Sequence, residues 1–273
     1  RDDRKFLVRT LDGRARAVLS DSYKCLDNVD LFFAAVQKFA EVGAQLWQAR
    51  LWDDGMELFG TAPHISGEVT TDRTFDPGDG WQSRWYGGAG DVHNAAVRIA
   101  NSETGRGYLS LSAAILRRVC ANFNVWSDEV AKMHVGRKLE VGDDFMLSDL
   151  TKEKEASYIW SAVQDGIATA FDPVRFTKLI DRLNATTQVE IPKEQEVRAV
   201  DAAVAKFKIA DTLKASILAQ VLMTGDRSQF GLVQAMTAVA HQSSTDCEDG
   251  SHLEEAGGEL AMMEGDKFLA LVG

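Results

Sequence analysis

The sequence predicts an α+β protein, with an antiparallel hairpin-rich β-sheet and a packed helix in its first half and a helical second half. Three observations carry that expectation. Asp12-Gly13 separates two short strand-like runs, a strong short-range hairpin signal. Leu109, Leu111, Ala113 and Ile115 alternate with Ser110 and Ser112, the pattern of a half-buried strand. Beyond residue 148, cap-like starts recur at Ser148-Asp149, Asp172-Pro173, Pro192 and Asp211, each heading a stretch with helical spacing.

In chain order, Lys5–Leu11 and Arg14–Leu19 form the first hairpin around Asp12-Gly13. Asn28 or Asp30 caps a helix running to about Val42; Phe32, Val36, Phe39 and Ala40 form its apolar stripe and Gly43 ends it. A second hairpin pairs Leu46–Trp52 with Met56–Phe59 around Asp53-Asp54-Gly55. Residues 72–90 read as a Gly- and Asp-rich loop. A third hairpin pairs Asn94–Ala100 with Tyr108–Leu116. Helices are then expected at about Leu150–Ala170, from Pro173, from Pro192 to Ile209, from Asp211 and over Arg227–His241, with short helices closing the chain. Leu232, Met236 and Val239 mark one face of the Arg227–His241 helix. The composition shifts near residues 127–150, which places the expected boundary between a core of residues 1–140 and an acidic helical region of residues 141–273.

Charge divides the same way. Residues 1–140 hold 18 Lys/Arg against 19 Asp/Glu, while residues 141–273 hold 12 against 22, out of a net charge of −11. A total this acidic disfavours adhesion of the whole surface to nucleic acid and leaves room for a local basic groove. No apolar run is long enough to cross a bilayer, and no signal-peptide pattern is present. Three widely spaced cysteines, Cys25, Cys120 and Cys247, argue against a disulfide framework and suit a reducing cytoplasm. The expected location is therefore the cytoplasm.

The first hairpin holds the sharpest signal. A two-residue turn sets Leu11 opposite Arg14, Thr10 opposite Ala15 and Arg9 opposite Arg16, so Arg9, Arg14 and Arg16 share a face with Leu7, Leu11 and Val18. Like charges directly opposite destabilise a hairpin, so this face calls for an anion. The anion is either a phosphate, which suits the planar guanidinium, or Asp and Glu from elsewhere in the protein. Arg50, Arg98, Arg106, Arg117 and Arg118 lie on or beside the other hairpins, and Lys132, Arg137 and Lys138 precede the acidic half. Arg84 and Trp85, beside Trp81 and Tyr86, interleave aromatic and basic groups in the Gly-rich loop. Such a mixture stacks bases and tracks a backbone, or else the Trp rings plug the loop onto the core. These thirteen residues are the expected nucleic-acid contacts.

No catalytic pattern stands out. The five histidines lack ligand spacing, Gly87-Gly88-Ala89-Gly90 is not followed by Lys-Ser/Thr, and Cys120 with His134 has no evident orienting partner. Asp143-Asp144, Asp246, Glu248 and Asp249 read as turn and capping acids, or as ligands for a divalent cation. No enzyme activity, cofactor or bound metal is expected.

The stretch from Leu116-Arg117-Arg118-Val119-Cys120-Ala121-Asn122 to His134-Val135-Gly136-Arg137, together with Arg227–Thr237, resembles a family of uncharacterised phage- and plasmid-encoded proteins. In that family an Asn usually stands where this chain has Gln234. The order of helix, strand, hairpin and long strands is also similar to the single-strand annealing proteins of phage recombination, of the Red-beta and Erf types. That similarity implies a non-catalytic, homo-oligomeric protein that binds single-stranded DNA, with no membrane partner. The alternative is a phage or plasmid assembly protein that self-associates through charge-complementary halves without nucleic acid.

Overall fold

A computed structural model describes residues 6–20, 26–70, 91–107, 109–118, 122–133 and 149–273. The fold is α+β, mainly strands in the first half and helices in the second. A two-stranded sheet is formed by β1 (Phe6–Leu11) and β2 (Arg14–Ser20). After helix α1 (Asn28–Glu41) comes a five-stranded meander in chain order: β3 (Gln45–Trp52), β4 (Gly55–Val69), β5 (Asp91–Asn101), β6 (Leu109–Arg117) and β7 (Phe123–Met133). Seven helices follow among the described residues: α2 (Asp149–Ala170), α3 (Pro173–Thr187), α4 (Glu196–Phe207), α5 (Asp211–Thr224), α6 (Gln229–Ala240), α7 (Cys247–Met262) and α8 (Gly265–Val272).

The chain groups into two compact units. Unit 1 comprises residues 1–61, 97–112 and 129–170; unit 2 comprises 62–96, 113–128 and 171–273. The units interleave along the sequence, whereas composition suggested one cut near residue 140.

In unit 1, Asp12 and Gly13 both take left-handed backbone angles, φ +51° and +74°. A tight hairpin turn needs this, and Asp and Gly supply it at least cost. The expected register holds for Leu11 with Arg14 and Thr10 with Ala15, then shifts: Arg9 pairs with Ala17 rather than Arg16. Arg16 is the extra residue of a bulge. The second hairpin turns at Asp53-Asp54, with Trp52 opposite Gly55, and β4 continues ten residues past the expected end at Phe59. In α1 the fully buried positions are Leu31, Ala35 and Phe39, while Ala40 is exposed. The apolar stripe is thus rotated from the expected one. β6 is buried along its whole length, Ser110 and Ser112 included, so it is a fully buried strand rather than a half-buried one.

Unit 2 is organised around α6, which buries eleven of its twelve residues and packs on α3, α5 and α7. A helix apolar all round belongs inside a core, which is why the single expected face understated it. The starts follow local chemistry. Asp172 accepts from the N–H groups of Val174 (2.7 Å) and Arg175 (3.2 Å) with Pro173 at the first helical position, Ser228 Oγ accepts from Gly231 (3.0 Å), and Asp246 accepts from Asp249 (2.8 Å). α4 begins at Glu196 rather than at Pro192, because Glu190 bridges to Ser228 and Ile191 N–H donates to the Arg227 carbonyl (2.8 Å), holding that segment extended. β7 had no counterpart in the sequence expectation.

Candidate nucleic-acid interface

The arginines expected to meet phosphate mostly meet carboxylates of their own unit. In the first hairpin, Arg9 Nη1 lies 2.8 Å from Asp27 Oδ1, and its Nη2 lies 3.4 Å from Glu103 Oε2. Arg16 Nη1 reaches the same Glu103 oxygen at 3.4 Å, and its Nη2 donates to the Asp53 carbonyl. Glu103 also accepts from the backbone N–H of Asn28 (2.7 Å), at the start of α1. The anion that the hairpin calls for is therefore present in the chain. Arg106, largely exposed, lies 2.7 Å from Asp54. Arg14 is exposed and has no ion pair among the described residues. With Arg16, Asp53, Asp54 and Thr104 it borders an open cavity of about 690 Å³ at the hairpin tip.

Arg50 and Arg98 meet the same buried carboxylate. Glu57 is fully buried on β4 and stands directly opposite Arg50 of β3. Arg98 Nε donates to Glu57 Oε1 at 2.7 Å, and Arg50 Nη1 lies 3.5 Å from Oε2. The Arg50 guanidinium also lies 4.8 Å from the centre of the Phe59 ring. One buried carboxylate thus takes up two buried cations, and neither faces solvent.

Arg117 is likewise buried, in unit 2. It pairs with Asp91, donates through Nη1 to Gln234 Oε1 (3.4 Å), and lies 5.9 Å from the Phe230 ring centre. The two separated stretches of the family resemblance therefore meet here. Gly231 belongs to the same arrangement: a Cβ there would collide with the Asp226 carbonyl. Arg118, one residue on, is exposed, with no ion pair among the described residues. Lys132 lies on β7. Arg84, Trp85, Arg137 and Lys138 fall outside the described residues, as do Cys120, His134, Asp143 and Asp144.

The expected contacts fall in both units. Arg9, Arg14, Arg16, Arg50, Arg98 and Arg106 lie in unit 1, and Arg117 and Arg118 in unit 2. What sequence reasoning missed is the acid side of each pair. Glu57 stands opposite Arg50 because the turn is two residues long, Trp52 facing Gly55, whereas the expected three-residue turn sets Leu58 there; Asp91, Glu103 and Gln234 left no local signal.

His93 is a further buried polar group. Its Nδ1 lies 2.7 Å from the Asp91 carbonyl oxygen, and its ring packs 6.4 Å from Phe230. Burial holds its pKa below the ordinary histidine value and Arg117 adds to that, while the Asp91 charge and the hydrogen bond to its carbonyl oppose it. The unfolded chain therefore takes up a proton that the folded chain refuses. Stability is unaffected by this group above about pH 6.5 and falls below it, by up to about 1.4 kcal/mol per pH unit. His93→Gln is expected to flatten the dependence of unfolding free energy on pH between about 6.5 and 5; an unchanged slope in urea melts would assign the acid sensitivity to another group.

His241 Nε2 lies 3.1 Å from the buried Glu254 Oε1. No cluster of three or more His, Cys, Asp or Glu suited to a metal occurs among the described residues, and no described helix is long and apolar enough to cross a membrane.

No family model, curated protein or solved structure matches the chain.

Proposed function

We propose that this chain is a non-catalytic assembly protein whose unit 1 associates with further copies of itself. The observation that carries the reading is the set of large apolar side chains exposed on and around the terminal strand of the larger sheet. β3 is its terminal strand, eight residues long, with Trp47 and Leu51 exposed at 47% and 68%. Natural edge strands are blunted by Lys, Pro, bulges or charges. β3 carries neither Lys nor Pro, its one charge, Arg50, is tied to Glu57, and its guard is a bulge at Trp47. Phe6, Val8 and Val18 on the first hairpin, and Val29 and Phe33 on α1, are also exposed. Large apolar side chains on display at this density suit a surface covered by a partner. The neutralised arginines support the same reading, because they leave little positive surface for a phosphate backbone. Multi-angle light scattering over a range of protein concentrations tests it. Molar mass is expected to rise above the 30.0 kDa of one chain, and Trp47→Lys/Leu51→Lys is expected to lower it. Assembly unchanged by those two charges would exclude the β3 edge.

A second reading, single-stranded nucleic-acid binding and annealing by a homo-oligomer, is favoured by Arg14 and Arg118, two of the expected contacts that are exposed and have no ion pair among the described residues. Fluorescence anisotropy with a short labelled oligonucleotide separates the two. Binding that weakens steeply with salt would favour annealing; no binding at low salt by folded protein would leave assembly alone.

A further inference from the structure

Helix α5 (Asp211–Thr224) forms a helical hairpin with α4 in unit 2. Arg227 Nη1, just past the end of α5, lies 3.7 Å from Glu196 Oε1 at the start of α4. The inner side of α5 buries Ile217 and Val221. Its outer side is equally apolar. Leu222 and Met223 are 61% and 55% exposed, Ala215 and Ala219 are exposed, and Leu218 is half-buried. Residues 215–224 carry no charge. A helix apolar all round belongs inside a core, yet this one carries its second apolar side at the surface. Val197, beside Glu196 in the first turn of α4, is also more than half exposed. Ala215, Leu218, Ala219 and Leu222 are spaced i, i+3, i+4, i+7, the spacing with which one helix meets another.

We infer that the outer face of α5 docks antiparallel on α5 of a second copy of this chain, about a two-fold axis between residues 218 and 219. The stripe is complementary to itself in size. Under that axis Ala215 meets Leu222 of the second copy, and Leu218 meets its Ala219. Each large side chain falls on a small one, so the helices can approach closely, and a two-fold contact requires this reciprocity. Charge is complementary as well. The last turn of α5 holds no basic residue of its own. Antiparallel pairing brings Lys214 of the second copy beside Met223, at the negative end of the helix dipole. Lys214 is free to do so at the surface, where its side chain is 41% exposed beside Asp201 of α4. A parallel pair would set Leu222 on Leu222, Ala215 on Ala215 and like helix ends together. This face lies in unit 2, so it goes beyond association through unit 1. One such face in each unit carries assembly past a dimer.

A disulfide between copies tests the pairing. Positions 215 and 222 lie about 10.5 Å apart along one helix, beyond the reach of a disulfide, so cysteines there can join only in trans. Ala215→Cys/Leu222→Cys is expected to give a covalent dimer on mild oxidation, read on a non-reducing gel. Either cysteine alone is expected to cross-link no more than the wild type, whose three cysteines set the background. Equal cross-linking by the single and double variants overturns the antiparallel pairing. Light scattering then separates this face from unit 1. Leu222→Glu/Met223→Glu is expected to lower the molar mass of the wild type, and an unchanged mass overturns the α5 face. Circular dichroism reports folding, and Ala219→Glu replaces the pair if it unfolds. Trp47→Lys/Leu51→Lys is expected to stop at twice the mass of one chain, held by α5. If it instead falls to one chain's mass at every concentration, the α5 face is overturned and association through unit 1 stands. If the wild type stops at twice that mass and only the α5 charges lower it, the unit 1 reading fails and the α5 face stands.

Discussion

Glu57→Gln is expected to destabilise the protein by about 3–5 kcal/mol, the cost of stripping the counter-charge from buried cations. Glu57 is fully buried, and Arg50 and Arg98 both depend on it within the sheet. Glutamine keeps the shape and one hydrogen-bond acceptor but removes the charge that both guanidiniums meet. Whole domains are stable by only about 5–15 kcal/mol, so the loss is a large fraction of the total. With a urea slope of about 3 kcal/mol/M, suited to a chain of this size, the midpoint falls by about 1 M or more. Replacing all three charges with apolar side chains of similar volume is expected to recover most of that, because a buried ion network is often no more stable than a well-packed apolar one. A loss under about 1 kcal/mol for Glu57→Gln would mean that Arg50 and Arg98 are solvated, which would return them to the set of ligand contacts.

The second large effect is expected at Arg117, where Arg117→Ala removes the partner of Asp91, the donor to Gln234 and the cation beside Phe230. The expected cost is about 3 kcal/mol or more, again from a charge left without its partner. A spectroscopic effect accompanies it. Arg117 helps hold the His93 pKa down while Asp91 pulls it up. Removing the guanidinium leaves the Asp91 influence, so the His93 pKa is expected to move upward, read from its ring-proton shifts across a pH titration. Folded and unfolded proton uptake then differ less, and the part of the acid sensitivity due to His93 becomes smaller. If Arg117→Ala bound oligonucleotide less tightly while keeping wild-type stability, the arginine would be a ligand contact after all.

The parts of the fold that were legible in sequence are those set by neighbours along the chain. Asp12-Gly13 announces its turn because a left-handed pair of residues is needed there. Asp172-Pro173 announces α3 because a carboxylate and a missing N–H suit a helix start. Distance along the chain hid the rest. The bulge at Arg16 depends on the register of the whole hairpin, and local pairing alone set Arg9 against Arg16. The carboxylate partners of the arginines were hidden for a related reason. Arginines on strands resemble a phosphate-binding surface until their carboxylates are known, and Arg98 lies 41 positions from Glu57. Arg117 and Gln234 lie 117 positions apart, so no window along the chain shows that they touch. β7 opens with Phe123, Asn124, Val125 and Trp126, an aromatic and β-branched run that suits a strand; it was obscured by the composition shift placed there.

Self-association is tested most directly by the molar mass of the wild-type chain in solution, measured by light scattering across at least a hundredfold range of concentration. The mass is expected to climb above 30.0 kDa as concentration rises, through a surface in unit 1. A mass fixed at that of one chain throughout would contradict it.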